Sequence, residues 1–163
     1  MSPAPIVIRP ERPDHPEVRR LLTDLNAHLA TLYEPADNFI LDERALLATQ
    51  VSFLVAEREG RIVGCGAVRR MPAEAETGMQ PYGEVKRMVV DPALRGQRIG
   101  ERLLHSLEAL LRAHGIGRAL LETGSLQSAA VRLYERCGYR RRPAFGGYPE
   151  NGLSLFFERA LTA

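Results

Sequence analysis

The chain has 163 residues, of which 45% are hydrophobic and 26% are charged, and its net charge at pH 7 is +2. This length and composition are typical of one soluble globular domain, so residues 1–163 are treated as a single domain. The small net charge, spread over mixed basic and acidic residues, argues against nucleic acid as a partner. No apolar run approaches the roughly 20 residues that span a bilayer. The first ten residues also lack the pattern of a secretory signal, and the sequence predicts a cytoplasmic protein.

Two cysteines, Cys65 and Cys137, stand far apart in the chain. They have no CxxC spacing and no clustered histidines beside them in the sequence, which predicts that the protein has no metal site. Both are expected to be buried thiols in a reducing compartment.

The N-terminal half is predicted to alternate strands and helices. Hydrophobic periodicity and β-branched content predict a strand at 5–9, a helix at 13–33, a short helix at 42–49 and strands at 51–57 and 61–70. The intervening "REG" predicts a hairpin with Gly60 in its turn. Residues 72–82 carry two prolines and no periodicity, and we expect a mobile surface loop there.

The C-terminal half contains a strand–helix–strand unit. The predicted elements are a strand at 83–90, a helix at 98–114, a strand at 117–123, a helix at 126–137 and strands at 139–143 and 153–159. A crossover helix implies locally parallel strands, whereas the hairpins around it imply antiparallel neighbours. The predicted fold class is α/β (α+β), with one mixed, mostly antiparallel sheet of six to seven strands and helices on both faces.

The stretch "VVDPALRGQRIGERLL", residues 89–104, places two glycines and three arginines between a strand and a helix. Glycine inside a helix costs about 1 kcal/mol relative to alanine. A helix N-terminus offers unpaired backbone N–H groups and binds anions, so glycines that let a phosphate approach would explain this pattern. The spacing matches neither the GxxxxGK[ST] loop nor the GxGxxG fingerprint, which argues against ATP-type and dinucleotide sites.

The turn resembles the [R/Q]xxGx[G/A] signature of the GNAT superfamily of acetyl-CoA-dependent N-acetyltransferases. The matching residues are Arg95, Gly96, Gln97, Arg98, Ile99 and Gly100. Arg98 stands where glycine is usual. The resemblance extends to "FLVAEREGRIVGCGAV", similar to the family's second and third strands, and to "AAVRLYERCGY", similar to its AxxLYxxxGF segment. Gln127 replaces the usual asparagine near that segment. The resemblance covers nearly the whole chain, and it implies a splayed parallel central pair and a coenzyme A pyrophosphate at the turn.

The same resemblance implies main-chain contacts to the coenzyme. The N–H of Met88 would polarise the acetyl carbonyl, and Val89 and Val90 would pair with the pantetheine arm. A backbone donor of this kind is typically worth a few kcal/mol at the transition state. The alternative is that this segment is an ordinary core strand, and both descriptions can hold together.

Glu84 is the candidate general base, at a position where many members of the family carry a catalytic glutamate. Alternation along the strand predicts that it shares a face with Lys86 and Met88. An alkylammonium has a pKa of about 10.4, so a base must take its proton. The alternative is a solvated carboxylate or a salt bridge to Lys86 or Arg87.

Tyr134 is the candidate general acid, because it matches the family's tyrosine and lies on the inward face of the predicted helix. A thiol with a pKa near 8.5 leaves tolerably well unaided, so a proton donor would add a moderate acceleration. The alternative role is that of a half-buried aromatic core residue.

Three functions remain open. The first is an enzyme that moves an acetyl group from acetyl-CoA to a primary amine of a small molecule or amino compound by direct attack, with no metal. The second acetylates a protein N-terminus or lysine. The third is a non-catalytic module that binds acetyl-CoA and regulates a partner, which the presence of Glu84 and Tyr134 argues against. A homodimer is left open.

Overall fold

The computed structural model describes residues 2–161. Within them, four helices and seven strands follow the predicted order. The elements are β1 (Val7–Pro10), α1 (Pro16–Leu32), α2 (Glu43–Leu46), β2 (Val51–Arg58), β3 (Arg61–Met71), β4 (Tyr82–Val90), α3 (Ile99–Ala113), β5 (Arg118–Gly124), α4 (Ser128–Arg136), β6 (Arg140–Arg142) and β7 (Ser154–Ala160). Short 3-10 turns occur at Pro35–Asp37, Ala75–Thr77 and Pro92–Leu94.

All seven strands form one mixed sheet in the order β1-β2-β3-β4-β5-β7-β6. Every neighbouring pair is antiparallel except the central pair, β4 and β5. This central pair is joined at two positions only, Gly83 with Ala119 and Glu84 with Leu120. The predicted fold class is therefore confirmed, including the crossover through α3. None of the helices within residues 2–161 is both long and apolar enough to cross a bilayer.

The β2–β3 hairpin shows how local sequence determines the register. Its two turn residues, Glu59 and Gly60, have φ angles of 52° and 78°. A two-residue turn with both φ values positive matches the right-handed twist of the strands it joins. The predicted turn at Gly60 is confirmed.

Helix α3 covers one face of the sheet and contributes most of the core there. Leu103, Leu104 and Leu107 are fully buried on its inner face. A Cβ at Gly66 on β3 would lie 2.4 Å from Met88 Sδ and 3.1 Å from a Leu107 methyl group, so glycine is required for this close approach. On the opposite face, α1 packs against β2 and β3 through a second apolar cluster.

A β-bulge interrupts β4 in its middle. Arg87 has a φ of 59°, and the register with β3 shifts opposite Cys65 and Ala67. A bulge adds one residue to a strand and reverses the alternation beyond it. Met88 consequently faces the α3 core, whereas Lys86 faces the other side of the sheet beside Glu84. The prediction that Met88 shares the face of Glu84 and Lys86 is wrong for this reason.

The segment 72–82, which the sequence predicts to be a mobile surface loop, contains a 3-10 turn and several specific hydrogen bonds. Glu74 and Thr77 form a capping box around a 3-10 turn. The Glu74 carboxylate also accepts hydrogen bonds from the Tyr82 hydroxyl at 3.1 Å and from the Gly146 amide at 2.5 Å. Tyr82 is completely buried and begins β4. These contacts connect the segment to the loop between β6 and β7.

Candidate active site

The central strands separate beyond their two paired positions. Because β4 and β5 are hydrogen-bonded only at Gly83–Ala119 and Glu84–Leu120, the following half of β4 has no partner strand on its β5 side. A cleft of about 690 Å³ lies there, bounded by the end of β4, the start of α3 and one face of α4. The splayed pair that the resemblance implies is present.

The end of β4 turns one backbone amide toward this opening. The Asp91 amide donates to Val63 O on β3 at 2.8 Å. Because amide directions alternate along a regularly paired strand, the Val89 amide also points to β3, while the Val90 amide points away from β3 toward the cleft. Met88 lies in the bulge, where it has no paired residue on β3. Met88, Val89 and Val90 all line the cleft.

The turn before α3 forms the other wall. Arg98 takes a left-handed conformation with φ 61° and is the N-cap, with no side-chain hydrogen bond to the helix. The first internal helix bond is from Arg102 N to Arg98 O, at 3.1 Å. The amides of Ile99, Gly100 and Glu101 are therefore free of helix partners, and they provide an anion-binding N-terminus.

Most of the predicted coenzyme residues lie together along this cleft. It is lined by Met88, Val89, Val90, Arg95, Gly96, Arg98, Ile99, Gly100 and Gln127, with Arg132 and Arg136 of α4 adding positive charge. Gln97 is the exception, because its side chain accepts a hydrogen bond from Arg58 Nη1 at 2.8 Å and anchors the turn to β2. Gln127 is the N-cap of α4 and makes no side-chain capping bond, so its amide is free to face a ligand.

A second, smaller cavity continues from the cleft through the opening between the strands. Its volume is about 90 Å³, and it shares Met88, Gln127, Ala130 and Tyr134 with the cleft. It ends among residues of β4, β5 and the segment after α1, including Lys86, Glu122 and Phe39. Together with Leu25, these shared residues form the boundary between the two cavities.

Tyr134 has structural features of both roles considered for it, the core residue and the candidate general acid. Its ring is 6% exposed and packs against Tyr139 and Phe157, with centroid distances of 5.8 and 6.3 Å. It nevertheless lines both cavities. Burial raises the pKa of the Tyr134 hydroxyl, with a smaller contribution from the charge of Glu122. The hydroxyl is accordingly protonated at neutral pH, the state that a proton donor requires.

Glu84 is almost completely enclosed by partners. It is 1% exposed and lines neither cavity. Arg69 Nη2 donates to one carboxylate oxygen at 2.7 Å, and the Tyr148 hydroxyl donates to the other. Lys86 Nζ lies 3.9 Å from the same carboxylate, so the predicted ion pair with Lys86 is present. Arg87 points away and donates to Leu22 O and Asn26 Oδ1 beneath α1.

Glu122 is the acidic residue that sequence reasoning missed. It lies on β5 and lines the small cavity, where its carboxylate accepts one hydrogen bond, from Ser154 Oγ at 2.7 Å. Burial raises the pKa of Glu122, an effect that Ser154 and the charge of Lys86 oppose. In the sequence it is one polar residue near the end of a strand, and only the separation of β4 from β5 exposes it to a cavity.

Lys86 hydrogen-bonds to two loops beside the small cavity, of which the Phe39 segment lines the cavity. Lys86 Nζ donates to Phe39 O at 3.2 Å and to the Tyr148 hydroxyl at 2.9 Å. The rings of Phe39 and Tyr148 stack edge to face at 5.3 Å. Burial lowers the pKa of Lys86, while the neighbouring Glu84 raises it.

The chain belongs to the acetyltransferase (GNAT) family, whose model matches residues 16–139. It is 42% identical over 156 residues to a protein named IAA acetyltransferase from Azospirillum brasilense, a match that covers 96% of this chain and 98% of that one. These two findings identify the chain as an acetyltransferase enzyme.

Solved structures agree with this assignment. A structure described as an acyl-CoA N-acyltransferase from Klebsiella pneumoniae is 35% identical, with a TM-score of 0.78 and coverage of 96% of this chain and 98% of that one. The PaiA N-acetyltransferase of Thermoplasma acidophilum, solved in complex with coenzyme A, shares the fold at 17% identity and a TM-score of 0.71, with coverage of 96% and 99%.

Proposed function

We propose that this enzyme transfers an acetyl group from acetyl-CoA to a primary amine of a small molecule. The observation that carries the proposal is the pair of adjoining cavities that extends from the open α3 N-terminus, past Met88 and the outward amide of Val90, to Tyr134 and Glu122. Each chemical requirement of acetyl transfer has a candidate group along this path. The proposed reaction uses no metal ion.

The coenzyme is proposed to lie in the 690 Å³ cleft. Its pyrophosphate would accept hydrogen bonds from the amides of the turn at 95–100 and the start of α3, where the helix dipole also favours negative charge. The pantetheine arm would run along the unpaired edge of β4 beside Val89 and bond to Val90, as an added strand does. The Met88 amide would then donate to the acetyl carbonyl and stabilise the oxyanion.

Two carboxylates are candidates for the base, and the contacts favour Glu122. The amine nitrogen arrives as an ammonium with a pKa of about 10.4 and must lose a proton before it attacks. Glu122 lines the cavity in which the amine would sit and makes one hydrogen bond, whereas Glu84 is shielded by Arg69 and Tyr148. The predicted base role of Glu84 remains a prediction. We propose that Glu84 instead holds Tyr148 in place.

Tyr134 is proposed to protonate the departing thiolate. It lies where the two cavities meet, which is where the thioester would be if coenzyme and amine approach from opposite ends. Its raised pKa keeps the proton available until negative charge develops on sulfur.

A small acceptor fits this cavity better than a protein substrate. The cavity measures about 90 Å³ and is lined at one end by Phe39 and Lys86, and Lys86 Nζ donates to Phe39 O at 3.2 Å. A protein N-terminus or lysine needs an open groove for the flanking chain. This observation ranks the small-molecule proposal above the protein proposal.

The test is release of free thiol from acetyl-CoA in the presence of a panel of small amines, amino acids, peptides and IAA. We expect turnover with one or more small amines and less with peptides. Tight binding of acetyl-CoA without acetyl transfer to any acceptor would favour the non-catalytic module. Transfer to peptides alone would favour the protein acetyltransferase.

A further inference from the structure

Three side chains with different metal-binding atoms converge on the outer side of the cleft. Glu101 and His105 lie one turn apart on α3, and Cys137 is the C-cap of α4. A carboxylate oxygen, an imidazole nitrogen and Cys137 Sγ all lie within 4.8 Å of one another. Among residues 2–161, none of these three side chains hydrogen-bonds to another protein group. None of the three belongs to the groups proposed for catalysis, although Cys137 lies one turn after Tyr134 in the chain and its amide donates to Tyr134 O at 3.1 Å.

The donor set and its spacing suit zinc. Residues at i and i+4 on one helix face are a common ligand pair, and a thiolate favours zinc over the oxygen-preferring magnesium and calcium. Zinc bonds of about 2.0–2.3 Å place tetrahedral donors roughly 3.5 Å apart. The exposed side chain of His105 and the half-buried side chain of Glu101 have room to rotate by the ångström that this requires.

We propose that Glu101, His105 and Cys137 bind one Zn²⁺ ion between α3 and α4, with water in the fourth position. Binding exchanges the thiol proton of Cys137 for the metal, and the proton passes to solvent. The nearby guanidinium of Arg159 is paired with the buried carboxylate of Glu108 at 2.5 Å, so its charge is compensated.

The position of Glu101 couples this site to the coenzyme cleft. Glu101 is part of the cleft lining and stands in the first turn of α3, beside the free amides. Its negative charge opposes a diphosphate there. With Cys137 bound as a thiolate, coordination to Zn²⁺ brings the net charge of the cluster from −1 to zero, so the repulsion is removed and the ion should increase the affinity for coenzyme A. Only this coupling rests on the proposed function.

The first experiment titrates the metal-free full-length protein with Co²⁺ as a spectroscopic probe of the zinc site. We expect visible bands of tetrahedral cobalt, a thiolate-to-cobalt charge-transfer band, and loss of both on addition of Zn²⁺. Cys137→Ser should remove the charge-transfer band. Loss of a group that hydrogen-bonds to a metal ligand typically lowers metal affinity by roughly 10–100-fold. Because His105 is proposed to be a ligand itself, His105→Ala should lower Zn²⁺ affinity by more than this.

His114→Ala is the matched control, because His114 is an exposed histidine immediately after α3. It should leave the spectrum and the Zn²⁺ affinity unchanged. Absence of a charge-transfer band, or a band that survives Cys137→Ser, would overturn the site. An equal loss of affinity in the His105 and His114 variants would overturn it too.

The second experiment measures coenzyme A binding by calorimetry with and without Zn²⁺. We expect the ion to tighten binding by a factor within the range of about 5–150 that is typical of coupled sites. Coenzyme A should tighten Zn²⁺ binding by the same factor, and Glu101→Gln should abolish both effects. Coenzyme A affinity that is measurable but independent of Zn²⁺ would overturn the coupling. No coenzyme A binding at all would overturn the proposed function and leave the metal result standing.

Discussion

The two candidate bases, Glu84 and Glu122, differ in what surrounds their carboxylates. The Glu84 carboxylate is bonded to Arg69 and Tyr148 and is 1% exposed, while Glu122 lines the small cavity. An enclosed ion-paired carboxylate contributes chiefly to positioning its partners. A carboxylate with one partner in a cavity is available to take a proton.

Glu122→Gln should lower kcat/KM by about 10²–10⁴-fold at neutral pH and less at high pH, where more of the amine is already deprotonated. Because burial raises the pKa of Glu122, activity of the parent enzyme should rise with pH through a range above that of an ordinary carboxyl group. The variant should lose this limb of the pH–rate profile. Glu84→Gln is the comparison, and it should keep the limb. The opposite outcome would return the base role to Glu84.

Tyr134→Phe should slow acetyl transfer by roughly 10–1,000-fold, since a thiolate of pKa about 8.5 leaves in part without help. Affinity for coenzyme A and the melting temperature should change little, because the ring keeps its packing against Tyr139 and Phe157. Stopped-flow thiol release and thermal unfolding measure the two quantities. If the variant keeps full turnover but has a lower melting temperature, Tyr134 is a core residue only.

Sequence reasoning reached Tyr134 but not Glu122, and the cause is physical. Tyr134 lies in a sequence segment that resembles the family's motif, so it can be identified from its neighbours in the chain. Glu122 becomes accessible only because β4 and β5 separate. The bulge at Arg87 was equally hidden, because positive φ there falls on a residue that has no local preference for it. Both features depend on strand pairing rather than on local pattern.

At the start of α3, Gly100 leaves little room for a larger side chain beside the cleft. A Cβ at Gly100 would lie 3.2 Å from a methyl group of Leu133 and 3.8 Å from one of Val90, and both of these residues line the cleft. Gly100→Val should therefore crowd the cleft and weaken coenzyme A binding about tenfold or more, which corresponds to 1.4 kcal/mol. Gly117→Ala, in open space before β5, is the control. Equal calorimetric affinities in the two variants would contradict the placement of the pyrophosphate.

The exposed edge of β4 leads to a prediction about single amides. Hydrogen exchange at Met88 and Val90 should be fast in the free protein and slow with coenzyme A, since the Val90 amide faces the opening and the Met88 amide is proposed to donate to the acetyl carbonyl. The Val89 and Asp91 amides point to β3 and should be protected in both states, which makes them internal controls. Unchanged exchange at Met88 and Val90 on saturation would rule out main-chain pairing with the coenzyme.

Element boundaries were predicted well where the pattern was local. The turn at Gly60 follows from hairpin turn chemistry, and the helix predicted at 98–114 follows from hydrophobic periodicity. The segment 72–82 was predicted less well. Its order comes from contacts of Glu74 with Tyr82 and with Gly146, which is distant in the sequence. Such contacts leave no periodic pattern in the sequence.

At the scale of the molecule, the sheet is two halves joined by two paired positions of β4 and β5. A ligand bound across the opening should add contacts between these halves. Coenzyme A at 100 times its Kd should stabilise the protein by about 2.7 kcal/mol, which corresponds to a Tm increase of about 5–10 °C for a chain of this size. Gly100→Val should show a smaller increase at the same concentration. A thermal shift of equal size in both proteins would place the binding elsewhere.

The outward main-chain groups of β4 have a consequence for mutational scanning. Replacing a side chain leaves the N–H in place, so alanine variants at Met88 and Val90 should retain most of the coenzyme affinity that their amides provide. An alanine scan of this part of β4 would detect the loss of side-chain packing but would not detect the main-chain hydrogen bonds to the coenzyme. Amide-to-ester replacement at the same two positions, introduced by semisynthesis, deletes the donor and keeps the side chain. We expect the ester variants to lose affinity at positions where alanine has little effect.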